Sequence, residues 1–126
     1  MQYMILIYGC EANYANVSEA EMGQVYAEYM EYSKALVAAK AFVGGASLKE
    51  ITTATTVRVK NGKTTTTDGP FAETKEQLGG YYIVEAATLD EAVKWAAKCP
   101  GAKHGSCEVR PLGIITGADG GIAAMQ

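Results

Sequence analysis

The first hydrophobic block of the chain is unbroken. From Tyr3 to Tyr8 it reads Tyr-Met-Ile-Leu-Ile-Tyr, apolar at odd and even positions alike, and a strand of that kind is covered on both faces. Ser18-Glu-Ala-Glu21 follows as a capping box, with the serine hydroxyl placed for the Glu21 N–H and the Glu21 carboxylate for the Ser18 N–H. Behind it Met22, Val25, Tyr26, Tyr29, Leu36 and Val37 recur at helical spacing and predict one helix running to about Ala41. Phe42-Val-Gly-Gly45 breaks that helix, and a short strand begins near Ala46 to Leu48.

The period then changes. Thr52 to Lys60, Asn61-Gly62 and Lys63 to Thr67 form a hairpin by their chemistry, since Asn-Gly takes the two positive φ angles of a type I′ turn and Thr and Val suit the flanking strands. A two-residue loop pairs Lys60 with Lys63, Val59 with Thr64, Val57 with Thr66 and Thr55 with Asp68. Alternation then puts the Asp68 carboxylate on the face of Val57 and Val59, read here as an inward face. Gly79 to Glu85 is a second strand apolar on both faces in Tyr81 to Val84. Thr88-Leu-Asp-Glu91 caps a second helix whose Leu89, Ala92, Val93 and Ala96 share a side, and Cys99-Pro-Gly101 stops it. Ser106 to Leu112 alternates as a last strand, nearer an edge.

This order, β-α-β with an inserted hairpin and then β-α-β, is that of an α+β ferredoxin-like sandwich, two helices on one face of an antiparallel sheet. Two helices cover only one face, whereas two of the strands are apolar on both. The economical cover for the second face is a second copy, so the pattern predicts a homodimer of the dimeric α/β barrel kind. Residues 1–112 form the domain, and 113–126, rich in glycine and poor in charge, form a tail that is either loose or laid on a partner subunit.

Composition narrows the functional classes. The chain has 126 residues, 48% of them hydrophobic and 20% charged, with a net charge of -3. That is one folded domain, and the absence of a Lys/Arg cluster removes the electrostatic footprint of nucleic-acid binding. Cys10, Cys99 and Cys107 are odd in number and lack metal-ligand spacing, so no disulfide framework and no metal is expected. The longest apolar runs fall well short of the ~20 residues of a membrane span, and no basic segment precedes the first. A cytoplasmic setting, no membrane partner and no cofactor are the resulting expectations; the paired glycines do not follow a nucleotide-binding spacing.

Candidate chemistry rests on few residues. Asp68 opens a turn, where an aspartate commonly accepts from the backbone two residues on; its inward face favours a pocket role instead. His104 is the only imidazole and the default general base if a reaction is catalysed. Asp68 and His104 are therefore the catalytic candidates. Phe71, Glu73 and Arg110 are the ligand-binding candidates, with Phe71 otherwise a plug in the core or the dimer interface, Glu73 part of a solvated charge run, and Arg110 or Glu108 in a strand salt bridge with Glu85 or Lys75. Cys99 and Cys107 read as small buried apolar groups without a neighbouring base.

Asp68-Gly-Pro-Phe-Ala-Glu-Thr-Lys-Glu76 resembles the signature of the DGPF (DGPFAETKE) family, a branch of the YCII-related superfamily. The resemblance extends from Met1 to Leu112 through Tyr8-Gly9, Val43-Gly-Gly45, Gly79-Gly-Tyr-Tyr82, Asp90-Glu-Ala92 with Trp95-Ala96, and Glu108-Val-Arg-Pro111. It implies a ferredoxin-like, dimeric α/β barrel, and a bacterial setting near extracytoplasmic-function sigma factors that suggests a regulatory link. In the wider superfamily a His on the first helix and an Asp before a Pro after the second helix form a proposed dyad, tied in one branch to lactone dehalogenation. Here the first helix carries Met30, Glu31 and Tyr32, and Cys99 precedes Pro100, so the dyad does not transfer. The reading that results is a dimeric binding module for a small molecule held in the barrel pocket. The alternative is a cofactor-independent enzyme of lyase, dehalogenase or monooxygenase type.

Overall fold

The computed structural model describes residues 1–124; the last two positions of the tail lie outside the described residues. Strand β1 (Gln2–Gly9) leads through a short 3₁₀ turn at Glu11–Tyr14 into helix α1 (Glu19–Ala38), and β2 (Phe42–Ser47) follows. After a second 3₁₀ turn at Ile51–Thr53 come β3 (Thr55–Lys60) and β4 (Lys63–Asp68), then β5 (Gln77–Glu85), α2 (Leu89–Lys98), the four-residue α3 (Gly101–His104) and β6 (Ser106–Pro111). Two short strands, β7 (Ile114–Thr116) and β8 (Ile122–Ala124), pair with each other.

The main sheet has the order β2-β5-β1-β6, and all its pairings are antiparallel. With the helices between successive strands this is the expected ferredoxin-like α+β arrangement. Among the described residues the sheet is open, with β2 and β6 at its edges, so one chain does not close the expected barrel. Among the described residues no helix is long and apolar enough to cross a membrane.

Both long helices begin where their sequences say. Ser18 Oγ accepts from the Glu21 N–H at 3.2 Å, and Thr88 Oγ1 from the Glu91 N–H at 3.2 Å. The return bonds differ from the capping-box expectation, because the Glu21 carboxylate accepts from the Ser18 hydroxyl and the Glu91 carboxylate from the Ala87 N–H. Helix α1 ends at Ala38, three residues short of the expected Ala41. Lys40 turns left-handed at φ 58°, the Lys40 N–H bonds Val37 O at 3.0 Å and the Ala41 N–H bonds Leu36 O at 2.9 Å, which is a Schellman closure.

The core lies between the helices and the side of the sheet carrying Tyr3, Ile5 and Val84; Leu36, Ala92, Ala96 and Cys99 complete it. Ile5, Leu36 and Val84 are fully buried, and each such side chain stabilises the fold by about 1.5–3 kcal/mol. Alternation puts Met4, Leu6 and Ile83 on the opposite side, where the register sets Met4 beside Ile83 and Leu6 beside Tyr81. These are only half-buried.

The β3–β4 hairpin has the expected register from Lys60–Lys63 to Thr55–Asp68, and Asn61 and Gly62 take φ values of 53° and 74°. It forms its own two-stranded sheet. The face shared by Val57, Val59 and Asp68 is not inward. Val57 is 59% and Val59 67% exposed, because the hairpin stands off the main sheet and no helix of the chain covers it.

Candidate functional site

Helix α1 buries side chains only in its second half, at Tyr32 and Leu36. The first half stands away from the sheet, and the space between them is a cavity of about 610 Å³ whose lining includes Val25, Tyr26, Tyr29, Phe42, Leu48 and Tyr82. That volume falls within the roughly 300–1,000 Å³ typical of small-molecule sites. The six-residue apolar stripe expected on α1 is thus divided between two tasks: Leu36 packs in the core, while Met22, Val25, Tyr26, Tyr29 and Val37 border the cavity.

Glycines shape the sheet side. A Cβ at Gly45 would come within 2.8 Å of Tyr81 O, and one at Gly80 within 2.8 Å of Ala46 O, so the approach of β2 to β5 depends on both. Gly9 and Gly79 differ. A Cβ at Gly9 would meet nothing within 4 Å, and one at Gly79 only Ile7 O at 3.8 Å. Gly79 is also the extra residue where the β1–β5 register shifts between Ile7 and Tyr8. Their missing side chains leave room in the cavity that both line.

Hydroxyls recur along its lining, and Glu11, Lys49, Glu50 and Gln77 stand at its rim. Ser33 Oγ stands 2.8 Å from Tyr82 Oη, and Tyr29, one helical turn before Ser33, adds a hydroxyl beside them. Burial pushes the Tyr82 phenol up, partly offset by the Ser33 hydrogen bond, and burial followed by the neighbouring Cys99 pushes Tyr29 up. All three are neutral groups near pH 7, able to donate or accept. The Tyr82 ring is held edge-on by Tyr32 at 5.2 Å, and the Tyr32 hydroxyl donates to Trp95 O at 2.7 Å.

The rim is latched by one carboxylate. Glu11 accepts from the Ile51 N–H at 3.1 and 3.3 Å, and its own N–H donates to Gln77 Oε1 at 2.9 Å. The segment carrying Leu48, Lys49 and Glu50 is thereby tied to the end of β1, and the Leu48 N–H bonds Gly79 O at 2.8 Å.

The residues singled out from sequence lie elsewhere. None of Asp68, Phe71, Glu73, His104 and Arg110 is among those lining this cavity. Asp68 ends β4 and is exposed. A turn bond to its carboxylate from two residues on is impossible, since that residue is Pro70, which has no N–H. Its neighbour Gly69 does the conformational work, at φ 103°, with its N–H on Ala54 O at 2.7 Å and its carbonyl accepting from Thr56 Oγ1 at 2.8 Å. Phe71 is 80% exposed, so it is not a plug in this chain's core, and Glu73 beside it is exposed as well. His104 ends α3, also exposed.

Arg110 projects from the edge strand and pairs with Glu108 at 2.7 Å, not with Glu85, which takes the amino group of Met1. Residues two apart on a strand share a face, so Glu108 is the nearer acid. Arg110 holds the Glu108 carboxyl below its ordinary range, and Tyr8 donates to the same carboxylate at 3.3 Å. Asp68, His104 and Arg110 thus sit on a hairpin, a helix end and a sheet edge, and one chain does not bring them together. Among the described residues there is no group of His, Cys, Asp and Glu that would hold a metal.

Ser33 and Glu11 went unremarked in the sequence. The signal for Ser33 was a hydroxyl interrupting an apolar stripe four residues after Tyr29. Glu11 carried no such signal, because its partner is a backbone N–H forty residues on.

The structure is thus a ferredoxin-like α+β chain with a largely apolar, hydroxyl-bearing cavity between its first helix and its sheet. Residues 1–113 match the YCII-related domain, and the chain belongs to that family. It is 39% identical over 116 residues to an uncharacterised protein of Rhizobium meliloti (strain 1021), covering 90% of this chain and 94% of the relative. Among solved structures it is similar to 5-chloro-2-hydroxyhydroquinone dehydrochlorinase from Burkholderia phenoliruptrix AC1100 in complex with 2,5-dihydroxybenzoquinone, at a TM-score of 0.48 and 18% identity over 89% of this chain and 93% of that one.

Proposed function

We propose that this protein is a homodimeric binding module, of the DGPF branch of its family, that holds one small and largely apolar molecule in the cavity between α1 and the sheet. The observation that carries the reading is the cavity itself, about 610 Å³, apolar over most of its lining and furnished with the Tyr29, Ser33 and Tyr82 hydroxyls. Desolvating an apolar ligand there is favourable in proportion to the area removed from water, and the hydroxyls orient it.

Binding rather than turnover is supported by what lies in the cavity. Its one interior hydroxyl pair, Ser33 and Tyr82, is neutral, the Glu11 carboxylate on its lining is engaged by the Ile51 N–H, and Asp68 and His104, the acid/base candidates, stand outside. A regulatory role linked to sigma-factor systems is supported by the Asp68 to Glu76 signature. The dimer is supported by apolar surface without cover in one chain: the outer side of β1 and β5, the Val57–Val59 face of the hairpin, and Phe71. In the dimer these surfaces meet the second copy, and Asp68, Glu73 and Arg110 stand at or near the contact.

The test is binding of the hydrophobic fluorophore 1-anilinonaphthalene-8-sulfonate to the full chain, followed by displacement with a panel of small apolar compounds. One saturable site per chain is expected, weakened at least tenfold in Gly79→Leu, whose side chain enters the cavity. Unchanged affinity in Gly79→Leu and in Gly9→Leu overturns the reading. Conversion of a displaced compound to a new product replaces it with the enzymatic alternative.

A further inference from the structure

Two legs join the β3–β4 hairpin to the rest of the chain, and both come to the mouth of the cavity. The entry leg, residues 48–54, carries the 3₁₀ turn Ile51–Thr53 and runs into β3; the exit leg, residues 69–76, leads from β4 to β5. Neither fills the core. Leu48 is 50% exposed, and Lys49, Glu50, Glu73 and Thr74 are exposed as well. Segments with so little buried apolar surface open at low free energy, so their order depends on the hydrogen bonds that hold them.

Glu11 reaches both legs. Its carboxylate accepts from the Ile51 N–H at 3.1 and 3.3 Å, which fixes the entry leg. Its own N–H donates to Gln77 Oε1 at 2.9 Å, and Gln77 Nε2 donates to Thr74 O at 2.8 Å, which fixes the exit leg. Each leg has a further hold, the Leu48 N–H on Gly79 O at 2.8 Å and Ser106 Oγ on Glu76 Oε1 at 2.8 Å, but these lead to different strands, β5 and β6. Glu11 with Gln77 is the point at which the legs meet on the body of the domain. At the root of the hairpin the legs also join each other, the Gly69 N–H bonding Ala54 O at 2.7 Å, so the arm follows its legs. Glu11, Leu48, Lys49, Glu50 and Gln77 all line the cavity.

We propose that Glu11 and Gln77 form a clasp that couples the cavity to the hairpin arm. With the clasp closed, both legs lie against the mouth and the arm is held in one orientation; with it open, the mouth widens and the arm swings free. A molecule in the cavity meets Leu48, Glu50 and Gln77 together only in the closed state and therefore favours it, and by the same linkage the seating of the arm sets how firmly the molecule is held. The ligand half of this rests on the binding reading above, whereas the clasp itself does not. It gives the binding module an output, because the arm carries the exposed Val57 and Val59.

The experiment is hydrogen exchange of the full chain, read by mass spectrometry. In the free protein Glu11→Ala quickens exchange about tenfold, the effect of losing one hydrogen bond to a charged group, in both legs and in the hairpin between them, while α2 and the middle of β1 exchange as in the wild type. Glu11→Gln, whose amide oxygen still accepts from the Ile51 N–H, stays close to the wild type. Saturating 1-anilinonaphthalene-8-sulfonate slows the same segments in the wild type and leaves them unchanged in Glu11→Ala. Quickening confined to the peptide that contains Ile51 overturns the proposal, as does wild-type hairpin exchange that is the same with and without bound fluorophore. Absence of saturable fluorophore binding strikes the binding reading and the ligand half with it, and the exchange of free Glu11→Ala still decides the clasp.

Discussion

Ser33 Oγ and Tyr82 Oη lie 2.8 Å apart across the cavity, one on α1 and the other on β5. Either can donate, so the pair offers an incoming ligand a donor or an acceptor as needed. The bond also lowers the Tyr82 phenol against the rise caused by burial. Ser33→Ala therefore moves Tyr82 ionisation to higher pH, read by ultraviolet titration of the phenol, and costs about 1 kcal/mol of stability. An unchanged titration would show that the pair is not formed in solution.

Reactivity at Cys99 carries a pH signature. The neighbouring Cys107 thiol holds Cys99 below the usual thiol range at about 7, and Cys99 in turn pushes Cys107 up. Tyr29 and Tyr32 of α1 and Tyr82 of β5 face the pair, all raised by burial first, and they stay protonated below pH 9. Alkylation of Cys99 should rise as pH climbs through about 7 and then level off, well under the ~8.5 of an ordinary thiol. Tyr29→Phe removes one donor to the thiolate and shifts the midpoint upward. A wild-type midpoint at the ordinary value would remove the electrostatic basis of this prediction.

Much of the fold was legible because it is local. The Ser18 and Thr88 caps, the Asn61-Gly62 turn and the two-faced strands each depend on residues a few positions apart, and each lies where the pattern put it. The face of the hairpin was not legible: alternation shows that Asp68 shares a side with Val57 and Val59, but whether that side meets the sheet is decided by how β3 and β4 stand relative to β5. Cys99 and Cys107 are the small buried groups expected, one in the core and one packed against it, but their neighbourhood was not legible for the same reason. Nothing near Cys99 in sequence signals that β6 returns beside the end of α2.

Glycine contacts give a graded stability series. Gly105→Ala places a Cβ 2.1 Å from the Tyr8 carbonyl oxygen, backbone that cannot step aside. Gly101→Ala meets side-chain atoms of Ile7 and Tyr29 instead, and overpacking of this sort costs about 1–3 kcal/mol. Gly9→Ala meets nothing within 4 Å and is nearly neutral. Urea denaturation should rank them Gly105→Ala, Gly101→Ala, Gly9→Ala from most to least destabilised; equal midpoints would refute the packing account of α3 against β1.

Lys40 occupies the left-handed position that closes α1, at φ 58°, where a side chain is strained and glycine is not. Its own side chain is exposed, so little is lost on removal. Lys40→Gly is expected to stabilise the protein by about 0.5–1 kcal/mol, offset in part by greater freedom of the unfolded chain. Lys40→Val, β-branched at the same φ, should be destabilising. The sign difference between the two, measured by thermal or urea unfolding, checks that the Schellman closure persists in solution.

The last prediction concerns the hairpin as an arm. Val57 and Val59 are 59% and 67% exposed on a two-stranded sheet of their own, and an isolated hairpin is marginal in water. An arm of this kind is stable when its apolar side lies on another surface, and the proposed dimer supplies one. Light scattering on the wild type should give twice the 13.3 kDa of the chain. Val57→Asp with Val59→Asp introduces two like charges on that face, and desolvating them at a contact is unfavourable, so the variant should shift toward the monomer while circular dichroism of α1 and α2 is unchanged. Amide exchange in Thr55–Asp68 should quicken with it, because the hairpin would then lose the surface that orders it. A wild type that scatters as a single chain at micromolar concentration removes the dimer, and a double variant that scatters as the wild type does places the contact elsewhere than on this face.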